Sequence, residues 1–183
     1  MLMRLGSSLN NPDLSQEIVL HDPKTKVCQS REKEVPDDAA DIVNIVVGYS
    51  GSSRSQAVLD LALWVAHQTR VASSKTVMVH IVYVIDQARP ETIAAADKVL
   101  WQARCLASEW RGSLNAHLRV GSVALQLSQV ANAVSADLLF LGCYGGGNNL
   151  VKSLAKQSSC PILGLLKPLP EAVPKPQKIR LAV

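Results

Sequence analysis

From residue 42 onward, runs of apolar residues alternate with segments in which apolar positions recur every three or four residues. The runs are rich in Val and Ile, which is typical of strands covered on both faces, and the recurring positions are typical of helices that lie against a sheet. The pattern therefore predicts five strands, at Ile42–Tyr49, Thr76–Ile85, Leu114–Val120, Leu138–Leu141 and Ile162–Leu166.

A helix is expected between each pair of successive strands. The first begins near Ser55, the second follows Pro90 and ends at Gly112, the third begins after Ser122, and the fourth occupies residues 150–156. Proline in the first turn and glycine just past the end favour these boundaries, and serine is a preferred cap.

Strands that alternate with helices predict an α/β fold with a doubly wound, five-stranded parallel sheet and helices on both faces. The simplest strand order is 3-2-1-4-5. In this order the chain reverses direction between strands one and four, and folds of this kind bind ligands in the crevice at the carboxyl ends of those strands. The loops 50–55 and 142–149 would meet there.

The flanking segments lack this periodicity. Residues 1–41 hold eight acidic and five basic side chains among polar residues and prolines, and we expect a disordered or poorly ordered arm. A short apolar stretch at 17–20 is too brief to assign. Residues 42–167 are the predicted α/β domain, and residues 168–183 form a tail rich in Pro and Lys.

Composition removes several classes of function. No apolar run reaches the roughly 18 residues that span a bilayer, and the first residues lack the apolar block of a secretory signal, so we expect a cytoplasmic protein without membrane insertion. The four cysteines form no C-x-x-C pair, and no histidine stands at metal-ligand spacing, so no metal is expected. Because aromatic residues are few, nucleic acid is not expected as a partner.

The two loops at the predicted crevice are rich in glycine, hydroxyl and amide side chains. Glycines let backbone amides approach a phosphate, and a helix amino end attracts negative charge, although glycine can also serve the turn alone. The serines of the first loop can equally cap the next helix. The candidate ligand-binding residues are Ser50, Gly51, Ser52, Gly142, Gly145, Gly147, Asn148 and Asn149.

Other chemistry-bearing residues favour structural roles. Arg54 could pair with a phosphate, but an arginine in an exposed turn usually faces water. His80 is interpreted as a hydrogen-bonded core residue without a second histidine beside it, and His117 as a surface residue. Asp86 is the one acid placed to reach the crevice, so no catalytic residues are assigned and an enzyme is not expected.

Several motifs occur together around these loops. The predicted fourth strand, in Ala136-Asp-Leu-Leu-Phe-Leu-Gly142, leads into a Gly-x-x-Gly turn that ends at Gly145. Pro161 follows a cysteine just before the last predicted strand, and Ser50-Gly51-Ser52 follows the first predicted strand. Over about residues 42–167 this combination resembles the universal stress protein family. The tryptophan-rich region 93–119 resembles the cyanobacterial branch of that family.

The serine loop also resembles the Ser-Gly loop of ATP pyrophosphatases. That loop needs an acid to hold magnesium at the position of Arg54, and an arginine cannot coordinate a cation. The comparison therefore favours the universal stress protein family.

This resemblance implies a homodimer made through the last strand and, in one subgroup, AMP or ATP in the crevice. ATP-binding members carry Gly-x-x-Gly, about nine further residues, then Gly-Ser, and an acid after strand one. Gly142 and Gly145 match the first pair, but the nine residues shrink to Gly146-Gly147, Asn148-Asn149 replace Gly-Ser, and Ser50 replaces the acid. The resemblance thus implies weak binding of AMP or ATP in a degenerate crevice, and no other cofactor.

We therefore expect a non-catalytic stress-response or signalling module that modulates an unidentified protein partner. It would be a homodimer paired through Ile162–Leu166, the expected edge strand. The first alternative is a true ATP, AMP or cyclic-nucleotide switch. The second is an ATP-hydrolysing or adenylating enzyme that uses the Ser-Gly loop.

Overall fold

The structure is a computed structural model that describes residues 18–21, 42–143 and 149–165. Within these ranges the chain forms six strands and four helices. The strands are β1 (Ile18–His21), β2 (Ile42–Gly48), β3 (Thr76–Ile85), β4 (Ser113–Val120), β5 (Leu138–Gly142) and β6 (Ile162–Leu165). The helices are α1 (Ser53–Ser73), α2 (Pro90–Leu106), α3 (Val123–Ala133) and α4 (Asn149–Gln157).

The strands form one sheet in the order β1-β6-β5-β2-β3-β4. The five strands from β2 to β6 are parallel and follow the predicted order, which confirms the doubly wound α/β fold. The described sheet differs from the prediction by one strand, because β1 pairs antiparallel with β6.

The strand β1 changes two expectations. It lies within residues 1–41, so the expectation of a disordered arm is wrong for Ile18–His21, and the rest of that arm and the tail 168–183 lie outside the described residues. It also covers β6, which is therefore not the edge strand expected at Ile162–Leu166.

The two faces of the sheet are covered by different helices, α1 and α2 on one and α3 and α4 on the other. Successive residues of β2 alternate between the two cores: Ile45 and Val47 pack toward α1, and Val46 packs toward α3. All three are almost fully buried. This double burial explains why the sequence of β2 is continuously apolar.

The helix boundaries follow local chemistry. Ser52 caps α1, and the left-handed Ser74 ends it. α2 starts at Pro90 as predicted but ends at Leu106, before the expected Gly112. None of the described helices is long and apolar enough to cross a bilayer.

Candidate functional site

A cavity of about 200 Å³ opens at the carboxyl ends of three neighbouring strands, and we call it the crevice. β2 and the residues after it contribute residues 48–50, β3 contributes 82–84, and β5 contributes 141–142. β2 and β5 are the strands between which the chain reverses direction. The crevice therefore lies at the switch point where doubly wound folds bind ligands.

The two predicted loops meet at this rim. Ser50 and Ser52 line the crevice from one side, and Gly142 lines it from the other. The loops are in direct contact, because a Cβ atom on Gly142 would lie 3.0 Å from Cγ of Arg54. Gly51 does not line the cavity; it turns the chain with a φ of +78° and faces Val99 of α2.

The remaining predicted site residues divide into two groups. Asn149 is the exposed first residue of α4, and its neighbour Leu150 lines the crevice. Gly145, Gly147 and Asn148 lie outside the described residues.

The acid expected to reach the crevice is placed elsewhere. Asp86 lines a separate groove with Gln87, Arg89 and Thr92. That groove adjoins the crevice and shares residues 83–84 with it. Among the described residues, no carboxylate lines the crevice itself.

The serine turn is organised by hydrogen bonds among its own hydroxyl groups. Ser52 Oγ accepts a hydrogen bond of 3.2 Å from the backbone N–H of Ser55, which is the helix cap of α1. Ser55 is buried, and its hydroxyl donates to the Ser52 carbonyl at 2.8 Å. Ser50 is exposed and its Oγ lies 3.0 Å from Ser52 Oγ. Ser52 and Ser55 thus fix the start of the helix, and Ser50 presents a hydroxyl at the rim.

Arg54 supplies the positive charge of the crevice. It is the second residue of α1, and its Nε and Nη1 atoms are buried. The expectation that this side chain faces water is therefore wrong. Its aliphatic stem packs against Gly142, and it lines the cavity between the two loops.

Three helices begin at the same rim. Ser52 and Arg54 belong to the start of α1, Val123 is the first residue of α3, and Leu150 is in the first turn of α4. At the start of α3, the expected cap Ser122 makes no side-chain capping hydrogen bond. Helix amino ends carry partial positive charge and N–H groups that have no acceptor within the helix itself. With Arg54, they make the crevice attractive to an anion.

Among the crevice residues that the sequence did not indicate are Arg54, which is partly buried and does not simply face water, residues 82–84 of β3 and Val123 of α3. The strand order was a sufficient signal for residues 82–84, because β3 neighbours β2 and its carboxyl end must reach the same rim. The burial of Arg54 has no such signal, since it depends on contact with a loop more than eighty residues away.

A second polar cluster links the neighbouring strands β2, β3 and β4. His80 Nδ1 lies 3.0 Å from His117 Nε2, and His80 Nε2 lies 3.3 Å from Asn44 Oδ1. His80 is buried as predicted, but the prediction that no second histidine accompanies it is wrong, and His117 is half-buried. Burial, followed by the neighbouring His117, lowers the pKa of His80 to about 4.

The pKa of His117 is also lowered, mainly by burial and further by Arg119. Both histidines are therefore neutral near pH 7. In the described part of the chain, no group of three or more His, Cys, Asp or Glu side chains is arranged to hold a metal ion.

The sheet order and the anion-attracting crevice define a doubly wound α/β protein with a ligand site at its switch point. Residues 42–163 match the model of the universal stress protein family. The match spans about two thirds of the sequence, and the chain belongs to this family. No curated protein sequence matches the chain significantly.

Solved structures with this fold include nucleotide complexes. A universal stress protein from Archaeoglobus fulgidus in complex with dAMP is 20% identical with a TM-score of 0.56, over 67% of this chain and 97% of that one. An AMP-bound family member from Arabidopsis thaliana is 16% identical with a TM-score of 0.54, over 73% and 97%. A universal stress protein in complex with cAMP is 24% identical with a TM-score of 0.51, over 67% and 95%. At these identities the likeness establishes the fold.

Proposed function

We propose that this universal stress protein is a non-catalytic regulatory module whose crevice binds an adenine mononucleotide, AMP in preference to ATP, and that it modulates a protein partner in the cytoplasm. The observation that carries the proposal is the convergence of Arg54 and three helix amino ends on one cavity at the switch point. The dAMP, AMP and cAMP complexes of structurally similar proteins support the choice of ligand class.

The size of the crevice supports a mononucleotide. Its volume of about 200 Å³ lies below the ~300–1,000 Å³ of typical small-molecule pockets, so it holds one part of a nucleotide while another remains at the rim. A phosphate placed at the rim would face Arg54 and the amino end of α1. The family resemblance implies about nine residues after the Gly-x-x-Gly turn, and this sequence has only Gly146-Gly147 there, so fewer backbone amides would be available to further phosphates, which favours AMP over ATP.

The chemistry of the rim supports a binding role. The hydroxyls of Ser52 and Ser55 are engaged with each other and with the helix backbone. Among the described lining residues, neither a carboxylate nor a histidine stands beside them to act as a general base. Ser50 occupies the place of the acid that ATP-binding relatives carry, so the rim offers no carboxylate to magnesium there.

Calorimetry on the full chain tests this function. AMP, ATP with magnesium, cAMP and adenosine are titrated separately, and thermal unfolding is recorded with each. We expect AMP to bind more tightly than ATP, and adenosine to bind most weakly because it lacks the phosphate. Absence of heat and of a thermal shift at millimolar AMP would refute the binding role. Magnesium-dependent turnover of ATP, abolished by Ser52→Ala, would instead support an enzyme.

A further inference from the structure

The strand β4 ends the sheet at the side opposite β1, and among the described residues no strand pairs with its outer side, which we call the β4 edge. β4 is eight residues long and pairs with β3 in a continuous register. Sheet edges are usually protected by charges, proline or bulges. This strand has no proline, and Arg119 is its one side chain charged near pH 7. We propose that the β4 edge binds an extended, acidic segment of a partner protein, which adds to the sheet as a further strand.

The backbone of β4 has hydrogen-bonding groups on this outer side. The N–H of Gly121, just after the strand, donates to the Ile85 carbonyl of β3 at 2.8 Å. In a parallel ladder, residues that bond one neighbour alternate with residues that point away from it. The odd-numbered residues of β4 therefore face β3, as Gly121 does, and the even-numbered residues direct their N–H and C=O groups outward. Such a row is what an extended peptide pairs with when it adds to a sheet.

Apolar side chains flank the β4 edge on one face of the sheet. Leu114 and Leu118 pack against the core cluster that includes residues of α2, and both are only partly buried. Val120 continues this row and is 44% exposed. On α2, Trp101 is 69% exposed and Ile93 is 38% exposed. Single exposed apolar residues are ordinary on a protein surface, but several beside an unpaired strand form an interaction site.

The turn of the helix places Trp101 on the flank of α2 next to the β4 edge. Val99 faces Gly51, in the loop that leads into α1, and the buried Leu100 belongs to the core on the sheet. Trp101 follows Val99 by about 200° around the helix, so it lies on the flank away from α1. Because β4 lies beyond β3 on the side away from β2, this flank borders the β4 edge. A strand added there would pack every second side chain toward Trp101.

The other face of the edge is polar and positively charged. Asn115, His117 and Arg119 alternate with the apolar row and so point to the opposite face. Arg119 is exposed, as is Arg111 just before the strand. Between residues 110 and 136 these two arginines are the only Lys or Arg residues, and the sequence there contains no acid. Acidic side chains on this face of an added strand would therefore meet opposite charges across the sheet.

The two faces together define the chemistry of the segment. Successive side chains of a strand point to opposite faces, so apolar residues would alternate with acidic ones. A second copy of β4 would bring Arg119 and no acid to the edge, so charge favours a different protein. This inference specifies the protein partner of the proposed function and rests on that part of it.

Two labelled peptides test the proposal on the full chain without nucleotide. Both match the eight residues of β4 in length; one alternates valine with glutamate, and the other alternates valine with lysine. Fluorescence anisotropy should give a Kd at least about tenfold lower for the glutamate peptide. Equal affinities, or no binding of the glutamate peptide at high micromolar concentration, would overturn the proposal.

The variant Ala116→Pro tests the backbone pairing. Position 116 is one whose N–H points outward, so proline removes a donor from the β4 edge and leaves the donors that face β3, as edge strands tolerate. The Kd of the glutamate peptide should rise at least about tenfold, with the thermal unfolding of the variant recorded alongside. Unchanged affinity in a folded variant would refute strand addition.

A second pair of variants tests the apolar contact and does not depend on the folding of Ala116→Pro. Trp101→Ala should weaken binding of the glutamate peptide severalfold, because it removes exposed apolar surface beside the edge. Leu106→Ala is the matched control: it is 41% exposed on the same helix but lies two turns after Val99, on the other flank. Equal affinities of these two variants for the peptide would contradict the placement of the segment.

Charge reversal separates a contact at β4 from a response to net charge. Arg119→Glu should remove the preference for glutamate over lysine, whereas Lys152→Glu, at an exposed position on α4, should keep it. Equal effects of the two variants would overturn the proposal. AMP binding of the same variants distinguishes this failure from failure of the crevice, because no residue of β4 lines the crevice. Chains that bind AMP but not the peptide would refute the β4 edge alone.

Discussion

Arg54 determines the charge of the crevice, and its position depends on a close approach between two loops. A side chain larger than hydrogen at position 142 would meet the Arg54 stem at 3.0 Å. Gly142 therefore makes room for the arginine as much as it shapes a turn. Arg54 lines the cavity at the amino end of α1, with its Nε and Nη1 atoms buried, and a phosphate bound there would gain from both its charge and the helix field.

The variant Arg54→Gln should weaken AMP binding while leaving adenosine binding nearly unchanged. Loss of one charge-assisted hydrogen bond costs about 1.5–3 kcal/mol, which corresponds to a Kd increase of roughly ten- to hundredfold. Calorimetry with both ligands measures the difference. Arg104→Gln, an exposed position on α2, is the matched control and should bind AMP like the parent chain. An equal loss of AMP and adenosine affinity would contradict the phosphate role.

At the scale of elements, the local patterns of the domain were sufficient to predict its helices and parallel strands. A strand that is covered on both faces, such as β2, is apolar at each successive position. In a helix that packs against a sheet, apolar residues recur every three or four positions. β1 was not predicted from the sequence because four residues are too few to show a periodic pattern of apolar positions. Its pairing is set by β6, more than 140 positions later in the chain, and a contact of that separation is invisible to local pattern.

The His80–His117 pair is another contact between elements that local pattern could not provide. The two residues belong to β3 and β4, and Asn44 of β2 completes the group. The backbone N–H of Asn44 in turn donates to the Asp137 carboxylate at 2.8 Å, which ties the amino end of β2 to the start of β5. The cluster therefore joins four neighbouring segments of the sheet through polar side chains.

Acid should destabilise the fold through this pair. The pKa of His80 is about 4 in the folded chain and about 6.5 in the unfolded chain, so the unfolded state binds the proton first. The stabilisation is fully present above pH 6.5 and is lost as the pH falls from 6.5 toward 4. Urea unfolding at pH 7 and pH 5 should differ by about 2 kcal/mol from His80 alone.

Because the pKa of His117 is also lowered in the folded chain, protonation of His117 should likewise reduce the stability of the fold as the pH falls. His80→Gln should reduce this pH dependence, whereas His67→Gln, at an exposed position on α1, should preserve it. An unchanged slope of stability with pH in His80→Gln would show that other groups control the acid transition.

For the molecule as a whole, the strand order predicted from the sequence also predicted the location of the crevice. Right-handed crossovers and short connections leave few arrangements of five alternating strands and helices, and the switch point follows from the order. The sequence predicted fewer of the residues that line the crevice. The positive charge of the crevice comes from Arg54, which the sequence pattern assigns to a surface turn. Its apolar walls come from strand residues such as Val82, which the sequence pattern does not distinguish from other strand residues.

The crevice and the β1–β6 edge lie in separate parts of the sheet, and their effects on stability should be independent. No described residue of β1 or β6 lines the crevice, which is built on β2, β3 and β5. Leu165 pairs with Ile18 on one side and with the crevice residue Gly142 on the other, so two strand spacings, about 10 Å, separate Ile18 from the crevice. At such distances contributions to the free energy of unfolding usually add within about 0.5 kcal/mol.

AMP at about a hundred times its Kd should therefore stabilise the parent chain and the Ile18→Asp variant by the same increment, about 2.7 kcal/mol. Ile18→Asp should loosen β1, because it places a charge at a buried position. Chemical unfolding with and without AMP measures the two increments, at a protein concentration low enough to keep both chains monomeric. Arg54→Gln is the control: with its Kd raised ten- to hundredfold, it should keep only about 0.4–1.4 kcal/mol of the increment at the same AMP concentration, with the β1 edge intact. A smaller increment in Ile18→Asp alone would mean that release of β1 deforms β5 and, through it, the glycine side of the crevice.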